Sequence, residues 1–201
     1  MTIPVPVNLA VEDDLSELLL RVLIRQVRRD FVVDNCYSHG GFGYIKRKIS
    51  GFNNAARFTP FIVLTDLDQA ECAPKLIEQW LTQPQHPNLM FRIAVHEVEA
   101  WVMADRAAFA QYLGVYERRI PQDVDSIRDP KRYLVDLARQ SRSRELRESL
   151  VPRANSTAPV GPDYNGALMP FVDKDWHLDV ATRYSASPKR TIQTLKNFEP
   201  M

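Results

Sequence analysis

The feature that most constrains this chain is an alternation of short apolar runs with amphipathic stretches over its first half. The apolar runs have strand length, and the stretches between them repeat apolar residues at the helical spacing. The predicted strands are Val5–Val11, Phe31–Tyr37, Phe61–Leu64 and Phe91–Val95; the predicted helices are Leu15–Arg29, Ala73–Leu81 and Glu97–Leu113. Strands that alternate with helices pair in parallel, so the order predicts an α/β fold, a mostly parallel sheet flanked by helices.

The second half has no further strand pattern and is expected to be helical. We therefore expect an α/β core over residues 1–115 and a helical C-terminal extension over 116–201, packed on the core as one structural unit. The predicted helices of the extension are Pro130–Gln140, Ser143–Leu150, Lys174–Tyr184 and Pro188–Phe198. A segment rich in Pro, Ser and Gly, Asn155–Pro162, is expected to be a loop.

Composition excludes several classes of protein. Hydrophobic residues make up 45% of the 201, which is ordinary for a folded domain and argues against disorder. Basic residues (26) balance acidic ones (25), so the chain is not a generically polybasic binder. Two cysteines are too few for a disulfide framework, and no apolar run reaches the roughly 18 residues of a membrane span. We expect a cytoplasmic protein without a membrane partner.

Acidic residues follow three of the predicted strands directly. These acids are Glu12 after the first strand, Asp66 and Asp68 after the third, and Glu97 and Glu99 after the fourth. The carboxyl ends of parallel strands lie at one edge of the sheet, where α/β proteins place their functional groups. Carboxylates that converge repel one another unless a cation neutralises them, and oxygen ligands favour Mg²⁺ or Mn²⁺ over zinc. The pattern predicts a metal site.

The same acids have structural explanations. Asp13 and Asp14 stand at the start of a predicted helix, where acids cap the first turn and complement the helix dipole. An Asp-x-Asp pair is common in solvated turns. His96-Glu97-x-Glu99 also begins a helix, so its acids either cap that helix or join the Asp66 and Asp68 group.

Two basic segments are candidates for phosphate contact. A glycine cluster, His39–Gly43, is expected to be a loop, and it precedes Lys46, Arg47 and Lys48. Backbone N–H groups and basic side chains bind phosphates, although a solvated basic helix face has the same composition. Residues 128–153 carry a second basic concentration, interleaved with acids, for which an ordinary ion-paired surface is the alternative.

The acidic motifs resemble those of Toprim domains. Val11–Glu17 after the first strand, with Val63–Asp68 later, is similar to the Toprim pattern of a glutamate after one strand and an Asp-x-Asp after another. Val95–Trp101 with Asp105, together with Gly161–Asn165, resembles a Toprim-like bacterial family of unknown function. One departure is Asp13, where many relatives have a glycine after the glutamate.

The resemblance implies a Toprim/Rossmann-like core and a function. Toprim domains of topoisomerases, primases and overcoming-lysogenization-defect nucleases bind Mg²⁺ to cut or join phosphodiesters. Carried over to this chain, Glu12, Asp66 and Asp68 are the metal ligands, Glu12 is an alternative general acid or base, and Glu97 or Glu99 assists. The expected function is a Mg²⁺-dependent nuclease acting on nucleic acid in anti-phage defence, with an ATPase or other defence subunit as partner. The alternative is a non-catalytic binding or scaffold subunit.

Overall fold

The computed structural model describes residues 4–27, 30–38 and 40–201, and it contains one parallel sheet of four strands. The strands are β1 (Val5–Ala10), β2 (Phe31–Tyr37), β3 (Phe61–Asp66) and β4 (Leu89–Ala94). Their order across the sheet is β2-β1-β3-β4, and every neighbouring pair is parallel. The predicted α/β fold with a parallel sheet and a helical C-terminal region is confirmed.

Ten α-helices accompany the sheet in the described part of the chain. They are α1 (Asp14–Gln26), α2 (Gly41–Ala55), α3 (Ala73–Trp80), α4 (Val98–Ala104), α5 (Arg106–Leu113), α6 (Pro130–Ala138), α7 (Arg144–Leu150), α8 (Tyr164–Lys174), α9 (Leu178–Tyr184) and α10 (Ala186–Lys196). Short 3₁₀ turns form at Glu117–Arg119 and Val124–Ser126. No helix within residues 4–27, 30–38 and 40–201 is both long and apolar enough to cross a bilayer.

The chain divides into two compact units. The first unit comprises residues 1–95 and 189–201, and the second comprises residues 96–188. Helices α4 and α5, which the sequence analysis assigns to a core ending at residue 115, fall in the second unit, where α4 contacts α6 and α9. The packing of a 1–115 core and its extension as one structural unit stays a prediction.

In the first unit, helices cover both faces of the sheet. Apolar residues of α2 and α3 form one buried cluster with β3 and β4; the cluster includes Ile49, Phe52, Phe61, Trp80 and Phe91. Right-handed crossovers place α1, which joins β1 to the edge strand β2, on the opposite face. Helix α1 has Leu15, Leu19, Leu20 and Leu23 fully buried, as its helical spacing predicts.

Helix α2 begins inside the predicted glycine loop. It starts at Gly41, whose positive φ of 58° is a conformation that glycine adopts without steric cost. The predicted loop over His39–Gly43 is therefore wrong for its last three residues, and His39 lies outside the described residues. Arg28 and Arg29, at the end of the first predicted helix, also lie outside them.

In the second unit, the predicted helix Glu97–Leu113 is two helices. The break is at Asp105, whose buried carboxylate accepts a hydrogen bond from the backbone N–H of His177 at 2.9 Å and lies 3.0 Å from His177 Nδ1. The backbone of Asp105 is not helical, with φ of −82° and ψ of 70°, and its carbonyl accepts the N–H of Phe109 at 2.8 Å, so a new helix starts there. The sequence does not predict helix α8, because Gly166 and Pro170 are poor helix formers. Burial of Leu168 and Phe171 stabilises this helix in the folded protein.

Candidate active site

The carboxyl ends of β1 and β3 flank the point where the strand order reverses. From β1 the chain moves to β2 on one side, whereas β3 and β4 lie on the other side. In open parallel sheets the crevice at such a switch point is the usual location of a functional site. The residues that follow these two strand ends include Glu12 and Asp66. Two of the predicted site residues are therefore in the position that the topology favours.

The carboxylate of Glu12 is fixed across this switch point. Its Oε1 atom accepts a hydrogen bond from the backbone N–H of Asp66 at 2.9 Å and a second from the hydroxyl of Thr65. Thr65 is buried, with 1% of its surface exposed, whereas Glu12 and Asp66 are partly exposed. These bonds orient one glutamate oxygen and leave both carboxylates near solvent. The site thus contains two acids, and a buried hydroxyl and a backbone N–H fix the carboxylate of Glu12.

Asp68 occupies a different environment from Asp66. Asp66 is the last residue of β3, and the next residue, Leu67, continues the pairing through its N–H to the carbonyl of Ala94 at 2.8 Å. Asp68 is exposed and has a φ of 51°, a left-handed conformation that aspartate tolerates in turns. The carboxylate oxygens of Glu12, Asp66 and Asp68 do not all lie within 4.8 Å of one another.

Asp13 has a structural role that explains the departure from glycine. Its backbone is extended, with φ of −152°, so the position does not require glycine. Its Oδ1 accepts a hydrogen bond from Ser16 N at 2.9 Å and caps the first turn of α1. Asp14 is the first residue of α1 and is exposed. The helix-cap explanation is confirmed for Asp13.

The amino terminus of α2 lies beside Glu12. The N–H of Gly41 donates to the backbone carbonyl of Glu12 at 3.2 Å. The side chains of Lys46, Arg47 and Lys48, farther along the same helix, are exposed. A helix amino terminus carries partial positive charge, which favours an anion nearby. The basic helix and the acidic pair belong to the same unit.

In the second unit, Glu97 and Glu99 share one lysine. Lys131 Nζ lies 3.4 Å from Glu99 Oε1 and 3.9 Å from Glu97 Oε1. Glu97 also accepts the backbone N–H of Lys131 at 2.7 Å, and Tyr164 donates its hydroxyl to Glu99 at 3.3 Å. Glu97 is the N-cap residue of α4 but makes no side-chain cap bond there. Its carboxylate instead holds the first turn of α6.

Two arginines of the basic segment 128–153 form ion pairs with acids of the same segment. Arg144 lies 2.7 Å from Glu148, and Arg139 lies 3.4 Å from Asp136, both as neighbours on one helix face. Exposed pairs of this kind contribute little free energy and are typical of a solvated surface. The ion-paired explanation is confirmed for Arg139 and Arg144, and the phosphate-binding rim stays a prediction for the rest of the segment.

Of the two cysteines, Cys36 has surroundings that suppress its reactivity as a nucleophile. Both are free thiols, and neither is fully exposed. Burial, reinforced by a hydrogen bond to Glu17 and by its negative charge, raises the pKa of Cys36 to about 12. Because the thiolate is the nucleophilic form, Cys36 is unreactive at neutral pH.

Sequence reasoning missed Thr65 and Lys131, which position the acids. Thr65 directly precedes Asp66. Once β1 and β3 are known to be neighbours, the Thr65 hydroxyl can be expected to reach the residues that follow β1. Lys131 is 34 residues from Glu97, and nothing local to either residue indicates their contact.

The fold and the site define a class: an α/β protein with carboxylates at the switch point of a parallel sheet. A family model matches residues 11–154, which include Glu12, Asp66, Glu97, Glu99 and Lys131. The chain belongs to this family, described as Domain of unknown function (DUF4276). No curated protein and no solved structure matches the chain significantly.

Proposed function

We propose that this protein is a divalent-metal-dependent phosphodiesterase that acts on nucleic acid. The observation that supports the proposal is the bond between the Glu12 carboxylate and the Thr65-Asp66 segment at the switch point of the sheet. This placement agrees with the Toprim resemblance, which assigns the glutamate and the first aspartate of the Asp-x-Asp pair to one metal site. The acids lie where an α/β fold places its functional groups.

The donor set fits a hard cation. Glu12 and Asp66 offer carboxylate oxygens on adjacent strand ends, and neither nitrogen nor sulfur ligands accompany them within the proposed set, so Mg²⁺ or Mn²⁺ suits it better than zinc. A bound Mg²⁺ supplies Lewis-acid stabilisation of the charge that develops on a phosphodiester. Asp68, in the exposed turn after β3, is the third proposed ligand, and its carboxylate would have to turn toward Glu12 and Asp66 to share their ion. Glu97 or Glu99 is the proposed assisting acid.

The chain's own residues have separable tasks in this proposal. Thr65 and the N–H of Asp66 orient one oxygen of Glu12, which fixes the position of its carboxylate. The amino terminus of α2 and the exposed side chains of Lys46, Arg47 and Lys48 attract the phosphate backbone. Placement in anti-phage defence and an ATPase partner are proposed from the family resemblance alone, and a cytoplasmic location is proposed from the sequence pattern.

The experiment is metal binding together with cleavage by matched variants. Purified protein is incubated with single- and double-stranded DNA and RNA in Mg²⁺ or Mn²⁺, and metal binding is measured by calorimetry. We expect Glu12→Gln and Asp66→Asn to abolish both metal binding and cleavage. Thr65→Val should weaken metal affinity by about 10- to 100-fold, because the orienting hydroxyl is lost. Glu78→Gln, an exposed acid on α3, is the control and should change neither.

A non-catalytic binding or scaffold subunit is the second candidate. The observation that favours it is the ion pairing of Glu97 and Glu99 with Lys131, which gives two of the five predicted acids a structural role. The same assays distinguish the candidates. Metal binding that depends on Glu12 and Asp66, without cleavage of any nucleic acid, favours the scaffold. Cleavage that survives in Glu12→Gln/Asp66→Asn contradicts the assigned site.

A further inference from the structure

A groove in the first unit lies between β4 and α10, and two arginines line it. Its volume is about 710 Å³. Arg92 comes from β4, and Arg190 comes from the exposed face of α10. Gln193, Thr194 and Asn197 follow Arg190 at helical spacing and line the same groove. The side of the groove that α10 forms is therefore polar, and the two arginines give the groove positive charge.

Arg92 extends from the face of the sheet opposite α2 and α3. Its neighbours Phe91 and Ile93 belong to the buried cluster with those helices, and side chains alternate between faces along a strand. Arg92 Nε is buried and has no hydrogen-bond partner in the described part of the chain. Burial, and then the charge of Arg190, lower the pKa of Arg92. Two arginine side chains thus line the same groove, and one of them is partly desolvated.

No acid neutralises this pair among residues 4–27, 30–38 and 40–201. Glu199 lines the groove, but it forms no ion pair within 4.0 Å with Arg92 or Arg190. A buried N–H without a partner costs free energy, and like charges held together repel. An anion with several oxygens bound in the groove removes the repulsion between the two charges, because the planar guanidinium groups present parallel N–H donors to such oxygens.

We propose that Arg92 and Arg190 form a binding site for a phosphate group in this groove. The side-chain amides of Gln193 on α10 and of Asn197, the residue after α10, supply further donors. The phosphate belongs either to a small free anion or to a nucleic-acid backbone. The site requires neither a metal ion nor cleavage, so it is independent of the function proposed for Glu12 and Asp66. Arg92 pairs with Leu64, two residues before Asp66, which separates it from the acidic edge by about 7 Å along the strand.

The test is calorimetric titration with inorganic phosphate in EDTA, which removes metal-mediated binding at the acidic pair. We expect saturable binding to the unmodified protein. Arg190→Ala should weaken it by about tenfold or more, since an exposed residue that donates charged hydrogen bonds is lost. Lys189→Ala removes the neighbouring exposed charge of α10 outside the groove and should change affinity by less than about twofold. Arg92→Met should abolish binding.

A second titration with a single-stranded oligonucleotide lacking terminal phosphates distinguishes the sources. Competition with inorganic phosphate assigns the groove to a nucleic-acid backbone, and its absence assigns the groove to a free anion; both support the site. The proposal is overturned if the unmodified protein shows no binding at about 10 mM phosphate. It is also overturned if Arg190→Ala and Arg190→Glu bind as the unmodified protein does. These two exposed variants suffice if Arg92→Met does not fold.

Discussion

At the scale of single residues, the acids of this chain differ in what surrounds them. Glu12 is oriented by a threonine hydroxyl and a backbone N–H and is partly exposed. Glu99 has 1% of its surface exposed and lies 3.4 Å from Lys131. An acid near solvent is available to a cation, whereas a buried acid depends on its ion pair. The two glutamates therefore have different roles, because one is partly exposed and the other is buried.

Replacing Lys131 with methionine should destabilise the second unit. The change removes the ammonium group beside buried Glu99; breaking a fully buried pair costs about 3–5 kcal/mol, and because the Lys131 side chain is 34% exposed we expect about 2–3 kcal/mol. The free energy of unfolding is measured by urea denaturation. Glu99→Gln in the same chain should recover much of the loss, and Lys174→Met, an exposed lysine on α8, should cost less than about 0.5 kcal/mol. A cost of Lys131→Met below about 1 kcal/mol contradicts the pairing.

At the scale of elements, helix ends are set by residues with definite backbone preferences. Gly114 ends α5 with φ of 65°, and its N–H bonds back into the last turn at Gln111. Gly41 begins α2 with a positive φ as well. Gly51 lies within α2 and has open space around its α-carbon. Glycine therefore ends α5 at Gly114, whereas Gly51 within α2 makes that helix less stable than alanine would.

Replacing Gly114 and replacing Gly51 with alanine should have opposite effects on the free energy of unfolding. Gly114→Ala should cost about 1–2 kcal/mol, because a side chain disfavours the left-handed conformation and its Cβ lies 3.2 Å from Arg142 Cβ. Gly51→Ala should stabilise the protein by about 0.5–1 kcal/mol, because alanine is the better helix former. Chemical denaturation of both variants measures the difference. Equal effects contradict the cap assignment.

At the scale of the whole molecule, the last residues of the chain belong to the first unit. Asn88, buried before β4, donates to the carbonyls of Ala56 and Met201 at 3.1 Å and accepts the N–H of Met201 at 2.9 Å. The ring of Phe198 stacks on Phe31 with centroids 6.1 Å apart. Residues near the C-terminal end of the sequence therefore pack against β2 and against the segment that precedes β4.

Asn88→Ala should destabilise the first unit by about 2–3 kcal/mol, since three hydrogen bonds of roughly 1 kcal/mol each are lost from a buried position. It should also speed proteolysis near residue 201. Urea denaturation and timed digestion followed by mass spectrometry measure both effects. Asn54→Ala, at an exposed position of α2, is the control. If the rate of digestion near residue 201 is the same in Asn88→Ala as in the unmodified protein, the hydrogen bonds of Asn88 do not hold the last residues in place.

Local patterns account for most of the elements and for the position of the acids along them. Apolar runs locate the strands, and the leucine spacing of α1 locates its buried face, because burial and periodicity are linked within a few residues. Helix α8 escapes such reasoning, since tertiary burial of Leu168 and Phe171 outweighs the poor propensities of Gly166 and Pro170.

By itself the sequence determined that acids follow the strands of a parallel α/β sheet. Only the tertiary structure decided which groups each acid contacts. Thr65 and Glu12 are 53 residues apart and meet because β1 and β3 are neighbours across the switch point. Glu97 meets Lys131, 34 residues away, through the packing of the second unit. Such contacts depend on strand order and helix packing, which no local pattern of side chains encodes.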